Sequence, residues 1–133
     1  MGFKPVPSTF KLPAKSTSTI LSEASIAAAT TTVFANCTAV NLSSGKWTVA
    51  LTIAVTYNAL ATRGIRVHPR SSYDNSNYDT EDWTTFWDPQ FTAGATIRET
   101  LIYYTDVNYI KVLVENLDPI QTVTNVKVTA TIG

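Results

Sequence analysis

A chain of 133 residues with ten basic side chains, ten acidic ones and a formal charge of zero is sized for one domain, large enough to bury a core without covalent staples. Charged residues make up only 15%, which excludes a nucleic-acid binder working through bulk positive charge. No stretch approaches the roughly 18 apolar residues of a membrane span. The single cysteine, Cys37, has no partner for an internal disulfide and reads as a small buried hydrophobe.

Residues 1–15, MGFKPVPSTFKLPAK, carry Pro5, Pro7 and Pro13, lysines at 4, 11 and 15 and no acid. Proline fixes φ and removes a donor, so this segment is expected to be extended and neither helix nor central strand. Phe3, Phe10 and Leu12 dot it with apolar groups that a solvated tail seldom carries. Two readings stay open: an arm lying on a surface, its own or a neighbour's, and a loose terminus. Residues 20–29 are broken by Ser22, Glu23 and Ser25 and make a poor signal-peptide core, so synthesis in the cytoplasm without a signal peptide is expected.

The body, 16–133, reads as a succession of strands. Residues 19–28 fit strand or helix, although the β-branched neighbours at 30–33 weigh against helix. A short strand at 38–42 closes in a Ser43-Ser44-Gly45 turn. The run at 47–57, WTVALTIAVTY, then alternates large apolar residues at every odd position with small or hydroxylated ones at every even position. A period of two over that length marks a strand with one buried face. Arg63-Gly64 turns the chain into 65–70, where Ile65 and Val67 share one face and Arg66, His68 and Arg70 the other. Pro69 is expected to end that strand or to place it at an edge. A polar loop covers 71–82, and an irregular aromatic segment covers 83–91. Gly94 turns the chain into a strand at 96–104. Residues 109–116 alternate again, Leu117-Asp118-Pro119 is a turn, and 124–132 is the last strand, with Val126, Val128, Ala130 and Ile132 inward. Seven to eight short strands without a convincing helix predict an all-β, antiparallel two-sheet sandwich, jelly-roll or immunoglobulin-like.

Chemistry is sparse. His68 is the only histidine and stands on what reads as a solvated strand face, so zinc sites and Cys-His or Ser-His catalytic groups lack members. The five glycines fit no phosphate-binding loop, and neither an enzyme nor a cofactor is expected. Asp74, Asp79, Glu81, Asp82 and Asp88, mixed with Asn75 and Asn77, have a composition suited to calcium, but the spacing fails the EF-hand pattern and a solvated loop is the simpler reading. Trp83, Phe86 and Trp87 near Asp82 and Asp88 offer a sugar-binding platform, against the plainer reading of aromatics packed into a core. Finally, the basic strand with Arg63, Arg66, His68 and Arg70 leads directly into the acidic loop with Asp74, Asp79, Glu81 and Asp82. Such segregation fits head-to-tail contact between identical copies or docking on a larger lattice, or simple pairing of strand and loop within the monomer.

Several segments together carry a resemblance: a proline-bearing lead-in, the turn AVNLSSG at 39–45, the segment IRVHPRSSYDNSNYDTEDW at 65–83 and the closing YIKVLVENLDPIQTVTNVKVTATI at 109–132. Across most of 38–132 the chain resembles small structural proteins of tailed bacteriophages; the departure is 83–91, which is richer in aromatics. The resemblance implies a non-enzymatic virion protein, such as a capsid decoration or cement protein or a head, neck or tail component. Its expected partners are copies of itself and other virion proteins, with no nucleic acid and no membrane. A carbohydrate-binding module using 83–91, with a surface glycan as partner, is the alternative. In the virion reading Phe3, Pro5, Pro7, Phe10 and Leu12 form an assembly arm, and the charged strand and loop an interface.

Overall fold

In the computed structural model, which describes residues 15–133, the alternating segments become seven strands. These are β1 (Ser16–Ile26), β2 (Val40–Asn41), β3 (Thr48–Thr56), β4 (Ile65–Ser72), β5 (Thr96–Tyr104), β6 (Tyr109–Asn116) and β7 (Val123–Ile132), with one short 3-10 turn at Phe34–Asn36. The segment left open between strand and helix is strand β1. One sheet has the order β1-β7-β3-β5 and the other β2-β6-β4, every pairing antiparallel.

The pairs nest. β1 pairs with β7, β2 with β6, β3 with β5, and Val67 of β4 bridges Trp87. The chain is thus one long hairpin whose tip is the loop after β4, folded so that successive pairs alternate between the two sheets. That is the jelly-roll arrangement, one of the two sandwich topologies expected. Its eighth strand has shrunk to the single bridge at Trp87. Val67 and Trp87 exchange backbone bonds of 2.8 and 2.9 Å. The next outward-directed donor along β4 belongs to residue 69, a proline with no N–H to give. Pro69 still accepts from the Trp83 N–H at 2.8 Å, but the ladder cannot continue. The strand runs through Pro69 to Ser72, so of the two expectations for this proline, edge placement is the one met.

The core lies between the sheets. The odd residues Val49, Leu51, Ile53 and Val55 of β3, with Val126 and Val128 of the neighbouring β7, face Ile110, Val112 and Val114 of β6 and Ile65 and Val67 of β4, all at 1% exposure or less. Each such side chain contributes about 1.5–3 kcal/mol of burial. Cys37 is buried, its sulfur accepts the Val112 N–H at 3.4 Å, and burial pushes its thiol pKa up.

One end of the sandwich is tied by two polar side chains. Buried Asn116 donates to the carbonyls of Ile26, Ala27 and Gln121 at 3.1, 3.3 and 2.9 Å, and accepts from the Asp118 N–H. Asp118 accepts from the N–H groups of Thr62, Arg63, Ile120 and Gln121. Those backbone donors, Gln121 and Thr62 foremost, hold its carboxyl well below the usual range. Gly64 sits at the same end, where an added Cβ would meet the Tyr57 hydroxyl and Phe91 at 3.1 Å.

Candidate functional site

The charged residues of β4 meet their opposites inside the chain. Their side chains point outward because the alternate ones, Ile65 and Val67, are taken by the core. Arg66 grips Asp88 through Nε and Nη2 at 2.8 and 3.0 Å and lies over the Phe86 ring, 3.9 Å from its centroid. Arg70 Nε donates to Asp82 at 3.0 Å, and its Nη1 donates to the Thr80 carbonyl at 2.7 Å. His68 stands between Asp82 at 3.0 Å and Glu115 at 2.9 Å, with 15% of its side chain exposed. It is held in a network rather than solvated as expected. Burial pushes the Asp82 carboxyl up, but His68 and Arg70 outweigh it and keep it below its ordinary value. Of the readings for segregated charge, pairing of strand and loop within the monomer therefore describes Arg70 and Asp82, while Arg66 pairs with Asp88 of the aromatic segment. The side chains of Arg63 and Glu81 make no ion pair among the described residues.

The acidic loop is organised by its own backbone. Asp74 accepts from the N–H groups of Ser76 and Asn77, from Asn77 Nδ2 and from Ser72 Oγ, and the Asn77 and Ser76 donors keep its carboxyl deprotonated far into acid. Asp79 accepts from Ser71 Oγ at 2.6 Å. Asp74 and Asp79 line an open depression of about 460 Å³ with Tyr73, Trp83 and Asp106. Among the described residues no group of three or more His, Cys, Asp or Glu side chains is placed to hold a metal ion.

The aromatic segment faces inward. Trp83 packs on Tyr103 with centroids 5.2 Å apart, Phe91 meets Tyr57 edge-on at 4.9 Å, and Trp83, Trp87 and Phe91 all rest against the core. Phe86 lies beneath Arg66 and is 43% exposed.

The opposite side of the sandwich is bare. Rungs of small residues cross the outer face of the four-stranded sheet: Thr19, Thr129, Thr52 and Thr100 form one, and Ser25, Thr124, Thr56 and Thr96 another. Hydroxyl pairs such as Thr52 with Thr100 at 2.8 Å knit these rungs. At the β5 margin stand Ile102 and Tyr104, 57% and 81% exposed. They line a depression of about 250 Å³ with Lys15, Ile132 and Gly133. Sequence reasoning passed over these two side chains. The signal was present: β5 has large apolar residues in both alternating sets, Ile97, Leu101 and Tyr103 in one and Ile102 and Tyr104 in the other, and only one set can face the core. The proposed arm residues Phe3, Pro5, Pro7, Phe10 and Leu12 lie outside the described residues.

Comparisons with family models, with curated proteins and with solved structures find no match for this chain.

Proposed function

We propose that this chain is a non-enzymatic structural protein of a bacteriophage virion, a capsid decoration or cement protein or another head, neck or tail component, that assembles through its N-terminal arm and its sheet surfaces. The observation that carries the reading is one uncovered sheet face with exposed apolar side chains at its margin. The outer face of the four-stranded sheet is low in charge, one of its margins carries exposed Ile102 and Tyr104, and Lys15, where the arm joins, lines the same depression. A jelly-roll that has spent its charges internally on the β4 side keeps this side for neighbours. Phe3, Phe10 and Leu12 would each gain about 1.5–3 kcal/mol on burial in an adjacent subunit, before ordering costs. Prolines 5, 7 and 13 lower that cost by restricting the free arm. Weak contacts repeated over a lattice add up to tight binding.

The test is the native mass by light scattering at several concentrations, for the full chain and for a variant lacking residues 2–15. Oligomers of the 14.5 kDa chain that lose copies on truncation support assembly by the arm. Identical masses with and without the arm at every concentration sink that role, and a monomer throughout whose tryptophan fluorescence responds to glycans favours the carbohydrate-binding alternative.

A further inference from the structure

Antiparallel geometry fixes which way each backbone group of β5 points. The Tyr57 N–H donates to the Ala95 carbonyl at 3.0 Å and the Thr105 N–H to the Trp47 carbonyl at 2.9 Å, so the odd residues of β5 face β3. The even residues, Thr96, Arg98, Thr100, Ile102 and Tyr104, then direct both their N–H and their C=O away from the sheet. Among the described residues β3 is the only strand beside β5 and no backbone bond reaches that outer row.

The other two long edges are protected. β1 carries a bulge between Thr19 and Leu21, and its Ile20 carbonyl accepts from Thr38. β4 bears a proline and is roofed by 83–88. β5 has neither proline, lysine nor irregular register over its nine residues, and an uncovered strand of that kind is a template for another strand.

We propose that the free edge of β5 pairs antiparallel with the β5 edge of a second copy, about a two-fold axis at Ile102, joining two four-stranded sheets into one. Charge selects the register. Pairing centred on Ile102 puts Ile102 against its own equivalent, Thr100 against Tyr104, and Arg98 against the exposed Asp106 just beyond the strand. Sliding one copy by two residues sets Arg98 against Tyr104, and by four residues against Ile102; centring on Arg98 opposes two arginines. The register centred on Ile102 alone gives both ends of the contact an opposite-charge pair and its middle an apolar one. It covers the two most conspicuous apolar side chains of the bare side and employs the whole outward row of hydrogen-bonding groups from Arg98 to Tyr104.

This pairing stands independently of the virion reading, because it needs neither the arm nor a lattice. The test is sedimentation equilibrium of the full chain across the micromolar range at low salt. Wild type is expected to reach twice its 14.5 kDa mass. Arg98→Asp and Asp106→Arg alone each weaken that dimer about tenfold or more, since symmetry places every change twice in the contact, and the double swap restores it. Ile102→Lys, which sets two ammonium groups against each other at the axis, gives a monomer with unchanged circular dichroism. A wild-type monomer across the range, or a dimer indifferent to Ile102→Lys and to the single charge changes, overturns the proposal.

Discussion

β4 and β5 are both edge strands of similar length, eight and nine residues, one in each sheet. β4 presents Arg66, His68 and Arg70 outward, and the segment that follows the strand brings Asp82 and Asp88 back to pair with them. β5 presents Thr96, Arg98, Thr100, Ile102 and Tyr104, and none of the described chain comes back to cover their backbone. An edge strand must be closed by something, and the difference teaches where that something comes from. On the β4 side a long loop is part of the hairpin tip and folds onto its own strand. The same 73–95 connection leads into β5, but its backbone–backbone bonds to strands go to β4, and the turn that follows β5, 105–108, is short.

If the β4 side is where the chain binds itself, substitutions there should cost stability and substitutions on β5 should not. Asn116→Leu, on the strand beside β4, is the most severe: it strands the carbonyls of Ile26, Ala27 and Gln121 in a buried corner. Urea unfolding should report a loss of about 3 kcal/mol. Asp82→Asn leaves His68 and Arg70 facing a neutral amide and should cost about 1–2 kcal/mol in the same experiment. Ile102→Lys on β5 should change monomer stability by less than about 0.5 kcal/mol, while abolishing self-association. A β5 variant as damaging as Asn116→Leu would break the contrast.

Acid sharpens it further. The carboxyls of Asp118 and Asp82 titrate below their ordinary values in the folded chain. A depressed folded pKa means that the unfolded chain binds the proton first, so the stabilisation is complete above about pH 4 and drains away as pH falls toward the folded value. Melting temperature should therefore drop on acidification below about pH 4, and Asp118→Asn should melt lower at neutral pH yet show a shallower acid slope. An unchanged slope in that variant would mean that the backbone donors around Asp118 do not hold its charge.

Much of this was legible in the residues. The limits of β5 and β6 match the strand read at 96–104 and the alternating run at 109–116, and every odd residue from Val49 to Tyr57 is buried as the pattern of 47–57 requires, whereas Trp47 at the start of that run is 62% exposed. A two-residue period is a local property, written wherever one face of a strand is covered, so it survives without knowledge of any partner. His68 was misjudged for the complementary reason. Its strand face was read correctly, but Asp82 and Glu115 arrive from 14 and 47 residues away, and no local period encodes an arrival.

Most of the strands, the inward faces of the alternating ones and the turns at Gly45, Gly94 and Asp118 are written in the residues themselves, because side-chain alternation and backbone preference act within a few residues; β1, whose sequence fits strand or helix, is not. The nesting of the strands as a jelly-roll, the pairing of Arg66, His68 and Arg70 with Asp88, Asp82 and Glu115, and the lack of any described segment along the outer edge of β5 emerge only in the tertiary structure. Those outcomes depend on which distant segments share a margin of the sheet, and that is set by how one long hairpin folds over itself.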